Sequence, residues 1–129
     1  MIRQALCLGL LATITFVPGC GLKKRYRCTA STSYLGKARS GKGDDFASQD
    51  KAKELARGDV CPSYCLADDP DVEAAYQKAR DPSKPDDHVG RINVINNPPV
   101  KAVLDACKTR CDGALAGATF TYECEHSGI

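Results

Sequence analysis

The sequence predicts an α+β domain, a small antiparallel sheet carrying three or four helices, stapled by disulfides. Three observations lead there. Residues 25–34 and 118–125, near opposite ends of the chain, alternate in polarity, the period-two signature of half-buried strands. Between them, apolar residues recur at helical spacing behind Ser, Asp and Asn residues suited to helix N-termini. Eight cysteines stand in a chain of 129 residues that is poor in large apolar side chains, so its core needs covalent support.

At the N-terminus, residues 1–4 carry Arg3 as their only charge. Residues 5–17 then form an apolar run whose only ionisable side chain is the thiol of Cys7. As a helix this run rises about 20 Å, short of the roughly 30 Å hydrocarbon core, which suits a signal peptide better than a membrane span. Val17-Pro18-Gly19-Cys20 follows. This resembles the bacterial lipoprotein signal, whose lipobox ends in a small residue and a cysteine; Pro18 stands where that family more often has Ala, Ser or Thr. The resemblance implies a lipidated Cys20 as the first mature residue, hence a signal peptide at 1–19, a lipidated tether at 20–24 and a single domain at 25–129. The competing expectation is ordinary secretion, with Cys20 unpaired or in an intermolecular bridge.

In the mature chain, Tyr26, Cys28, Ala30, Thr32 and Tyr34 share one face of the first strand, with Arg25, Arg27, Thr29, Ser31 and Ser33 on the other. Gly36, Gly41 and Gly43 suggest a turn and a short second strand. Ser48 caps a helix whose stripe is Ala52, Leu55 and Ala56. Gly58 is expected to end or bend it, and Pro62 to open a new short helix capped by Asp59 or Cys61. Asp69-Pro70 starts another helix with Val72, Ala75, Tyr76 and Ala79 on one side, closed at Asp81-Pro82. Residues 83–97 read as a loop, with a brief strand at Ile92, Val94 and Ile95. Asn97 caps a last helix burying Val100, Val103, Leu104, Cys107 and Cys111, with Gly113 as its stop. On the final strand Ala118, Phe120, Tyr122 and Cys124 face one way. Leu35, Phe46, Leu55, Val60, Leu66, Val72, Val100, Val103, Leu104, Leu115 and Phe120 are the expected core.

Removing Cys7 with the signal and Cys20 with the lipid leaves Cys28, Cys61, Cys65, Cys107, Cys111 and Cys124, an even set that can pair fully. Cys61-Pro62-Ser63-Tyr64-Cys65 and Cys107-Lys108-Thr109-Arg110-Cys111 each place two cysteines on one helical face. Antiparallel helices join Cys61 to Cys111 and Cys65 to Cys107; parallel helices swap the partners. Cys28 and Cys124 then join the terminal strands. Twin Cys-x-x-x-Cys hairpins resemble small mitochondrial intermembrane chaperones and certain plant hairpin inhibitors. In those families the motifs lie close together, and the flanking strands found here are foreign to them.

Abundant cysteine points to an oxidising compartment, which favours disulfides over a zinc site. A redox pair at Cys61 and Cys65 has three intervening residues where disulfide exchangers have two. His88 and His126 accompany no recognisable nucleophile, and the aspartates of 68–71 lack EF-hand spacing. No cofactor or metal is expected. Every charged residue between 23 and 42 is basic, so Lys23, Lys24, Arg25 and Arg27 are a candidate contact with an anionic envelope surface. The near-neutral net charge of +2 in an exported chain argues against nucleic acid. The expectation is a non-enzymatic cell-envelope lipoprotein, anchored in the outer or inner membrane, with its domain in the periplasm or at the cell surface, that binds or organises a protein partner. The alternative is a periplasmic thiol–disulfide protein using Cys61 and Cys65.

Overall fold

A computed structural model describes residues 24–127. The expected signal peptide (1–19), Cys7, Cys20 and Lys23 lie outside the described residues. Seven elements follow in order: β1 (Arg25–Tyr34), β2 (Lys37–Asp45), α1 (Gln49–Ala67), α2 (Pro70–Ala79), α3 (His88–Ile95), α4 (Pro98–Leu115) and β3 (Thr121–Ser127). The fold is α+β, as predicted. Its antiparallel sheet has the order β2-β1-β3, so the first and last strands are neighbours.

The β1–β2 hairpin closes through Leu35 and Gly36, both with positive φ (52° and 74°). Two such residues in succession give the turn whose twist matches paired strands. β2 is nine residues long, not the short strand expected. Its polar composition concealed it, because its core-facing positions are glycines. A Cβ at Gly43 would lie 2.3 Å from the Ala56 amide nitrogen, and one at Gly41 would lie 2.4 Å from the Ala56 carbonyl oxygen. α1 therefore rests directly on the β2 backbone through Ala52, Ala56 and Val60, all buried.

This close approach corrects two expectations. α1 is one helix of 19 residues that runs through both Gly58 and Pro62. Pro62 removes one helical N–H, but packing on the sheet and two bridges to α4 hold the segment across the defect. Asp59 caps nothing; its carboxylate accepts from the Lys42 N–H and the Ser63 hydroxyl, both at 2.9 Å. Leu55 and Leu66 are exposed, while the close contact beneath the middle of α1 is made by the small Ala52 and Ala56. Leu35 and Phe46, at turns, are exposed too. The core consists of Cys28, Ala30, Ala52, Ala56, Val60, Tyr64, Val72, Val100, Leu104, Leu115 and the helical cysteines.

Ser48 caps α1 as expected, accepting the Lys51 N–H at 3.0 Å. Residues 83–97 contain a helix, α3, where a loop and brief strand were expected. Asp87 starts it by accepting the Gly90 N–H at 2.8 Å, a local bond that outweighs a three-residue β signal. Asn97 occupies the α4 N-cap position without a side-chain hydrogen bond. Gly113 does not stop α4, which continues to Leu115 because that side chain reaches the core. β3 spans Thr121–Ser127, shifted towards the C-terminus from the expected 118–125.

Cys61 is bonded to Cys111 and Cys65 to Cys107, the antiparallel of the two helical pairings. Cys28 is bonded to Cys124, directly opposite it in the β1–β3 register. The three bridges join α1 to α4 twice and the central strand to β3 once.

Candidate functional site: the open face of the sheet

Alternation on β1 sends Cys28 and Ala30 towards α1 and leaves Arg25, Arg27, Thr29, Ser31 and Ser33 on the side no helix covers. The register builds that face in rows. Arg27 lies between Asp44 and Glu125, Thr29 between Lys42 and Glu123, and Ser31 between Ser40 and Thr121. Arg27 pairs with both flanking carboxylates at 3.5 Å, and Arg25 also pairs with Asp44. Lys42 and Glu123 make no ion pair among the described residues, although they flank the same threonine. The second row therefore offers one cation and one anion on either side of a hydroxyl. These two rows line a shallow concavity of about 690 Å³ whose floor is the backbone around Cys28, Gly43 and Cys124.

Two members of the expected basic stretch are paired within the sheet. Arg25 and Arg27 spend their charge on Asp44 and Glu125, and Arg25 also stacks over Phe46 with 5.7 Å to the ring centroid. Lys24 is exposed beside the sheet.

A second polar cluster sits where the hairpin tip meets α1, α2 and α4. Asp69, only 5% exposed, accepts the Asp71 and Val72 N–H groups at 3.1 and 3.0 Å through one oxygen. Its other oxygen accepts from the Tyr64 hydroxyl and from Arg110, each at 3.4 Å. Arg39 lies 4.6 Å over the Tyr64 ring and pairs with Asp68, while Tyr34 meets the same ring edge-on at 5.0 Å. Burial, and then the Asp69 carboxylate, push the Tyr64 phenol up from its ordinary value, so it remains a neutral donor. The contacts here are spent on cap and packing, which gives Asp68 and Asp69 structural work.

The other residues singled out in the sequence are dispersed. His88 is the first residue of α3, and His126 stands on β3 with its ring 5.2 Å from Tyr26. Cys61 and Cys65 are bonded to different α4 partners and are 2% and 1% exposed. A bridge between them forms only at the expense of both existing bonds, one opened beforehand and the other displaced by exchange. Among the described residues no three metal-binding side chains gather, and no helix is long and apolar enough to cross a membrane.

Comparison with protein-family models, curated proteins and solved structures returns no match. The geometry alone has to speak for the site. The open-face rows were half visible in the sequence: alternation supplied the β1 side, but the glycines of β2 suggest a short strand without its register, so Lys42 and Asp44 were not set beside Arg27 and Thr29. Asp59 was missed as the half-buried acceptor of the Lys42 N–H, and the burial of the Asp69 cap went unseen, because an aspartate before or within a helix looks alike whether or not it is covered.

Proposed function

We propose that this chain is an exported cell-envelope lipoprotein, anchored through Cys20, whose stapled domain binds a partner through its sheet and performs no chemistry of its own. The observation that carries this reading is the nested disulfide set. All six cysteines of the described region are closed, tying strands and helices together, as expected of a domain matured in an oxidising compartment. With those thiols spoken for, Cys20 is left for the lipid. The uncovered sheet face, with paired and unpaired charges around one concavity, is the surface offered to a ligand.

The test is metabolic labelling with a clickable fatty acid, followed by membrane fractionation. The wild-type protein is expected to carry the label and sediment with membranes, and Cys20→Ser to lose both. Undiminished labelling of Cys20→Ser overturns the anchor. Separating the two membranes on a density gradient then assigns the protein to one of them.

A further inference from the structure

The Cα atoms of Cys28 and Cys124 are 4.1 Å apart. Opposed residues in an antiparallel pair come this close only at non-hydrogen-bonded positions, the alternative being near 5.5 Å. The peptide groups of Cys124 therefore point away from β1, towards the outer edge of the sheet, and alternation sends those of Tyr122 and His126 the same way. The opposite edge supports this phase. There the same alternation turns the Lys42 N–H outward, and the Asp59 carboxylate of α1 accepts it at 2.9 Å. β3 has no such cover: among the described residues no other element bonds to the outward groups of Tyr122, Cys124 or His126. The bridge to Cys28 holds this edge in place, so a partner meets a strand already ordered.

We propose that the outer edge of β3 accepts an extended polypeptide segment as a fourth strand, one with lysine or arginine at alternate positions and apolar residues between them. Glu123 and Glu125 project on the open face of this edge and are exposed. On the inner edge, Arg27 of β1 already shows the matching chemistry, standing opposite Glu125 with 3.5 Å between guanidinium and carboxylate. Glu123 faces only Thr29 there. A strand with two cations one residue apart satisfies both glutamates from outside. Its intervening residue falls on the helix side opposite Cys124 and diagonal to Tyr122, which stacks at 6.4 Å on Phe120. A second copy of this chain is the poorer occupant. Antiparallel self-pairing about Cys124 sets Glu123 opposite Glu125 of the other copy twice, and like charges directly opposed are unfavourable.

This deepens the reading of the domain as a binding module and stands apart from the Cys20 anchor. The full exported chain, disulfides intact and held in mild detergent, is titrated with a fluorescent peptide of alternating Lys and Val. Controls are the same peptide with Glu for Lys, and one N-methylated on the amides of a single edge. The basic peptide is expected to bind and to slow amide exchange at Tyr122, Cys124 and His126. Acidic and N-methylated peptides should bind roughly tenfold or more weakly, as should the basic peptide to Glu123→Gln/Glu125→Gln. Glu123→Lys/Glu125→Lys should reverse the preference. Equal binding of the N-methylated peptide, or binding that leaves exchange at Tyr122, Cys124 and His126 unchanged, overturns the edge proposal and leaves the binding-module reading standing. Self-association through β3 without peptide binding also overturns it.

Discussion

Gly43 lies beneath α1 so closely that a side-chain carbon there would sit 2.4 Å from the Ala52 carbonyl oxygen. No rotamer relieves such a contact, because both parties are backbone. Gly43→Ala, and likewise Gly41→Ala, should force the helix off the sheet against two disulfides and destabilise by about 2–3 kcal/mol or more. Gly58→Ala is the internal control, having nothing within 4 Å of the added carbon. It should stabilise by about 0.5–1 kcal/mol through helix propensity alone. Denaturant titration under non-reducing conditions measures all three.

The two helical bridges back each other up. With one rung intact, the other closes a circuit of only about ten residues, worth about 2.7 kcal/mol in the chain-entropy model. With no rung left, the closed loop has a sequence separation of 50 or 42 residues, and the same model gives about 4 kcal/mol. Replacing Cys65 and Cys107 by alanine should therefore cost less than subsequently replacing Cys61 and Cys111. Additive losses in the melting free energies would contradict this coupling.

Leu35 adopts φ 52° with its side chain 66% exposed, so it incurs the left-handed penalty and receives little packing in return. Leu35→Asn should raise stability by about 1 kcal/mol with unchanged strand register, read from thermal unfolding and cross-strand nuclear Overhauser effects.

α3 is fastened by charge. Asp86 accepts from Arg91 and from the Tyr76 hydroxyl, and these bonds, Arg91 first, hold its carboxyl below the usual carboxylate range. Because the folded pKa is depressed, the stabilisation is complete above the ordinary carboxylate value and fades as pH falls through the lowered one. Relative to the intrinsic exchange rate at each pH, protection of the amides of Ile92–Ile95, backbone groups within α3, should fall in acid while that of Val60 and Leu104 does not. Asp86→Asn should flatten the response. An unaltered acid profile in that variant would assign the opening to another carboxylate.

The strands at both chain ends, the Ser48 and Asp69 caps and the cysteine spacing were legible in the sequence because each is a local signal. Pro62 inside a helix was not, since its local penalty is outweighed by contacts with α4 and β2 that are distant in sequence. Gly41 and Gly43 illustrate the same limit: they suggest only a turn and a short strand, and the approach of Ala52 and Ala56 explains why glycine stands at both positions of the nine-residue β2. Of the candidate site, alternation exposed the β1 residues. The rows required the register, which no residue of β2 announces.

The Cys28–Cys124 bond encloses both other bridges, and that topology has a consequence for how the molecule matures. A chain that emerges N-terminus first presents Cys28 earliest of the six and its proper partner last. An oxidant acting on thiols as they arrive joins Cys28 to Cys61, then Cys65 to Cys107, and leaves Cys111 with Cys124. Under that order of oxidation the native set is reached only by exchanging the Cys28–Cys61 and Cys111–Cys124 bonds for Cys28–Cys124 and Cys61–Cys111, so the yield of this domain depends on thiol–disulfide exchange.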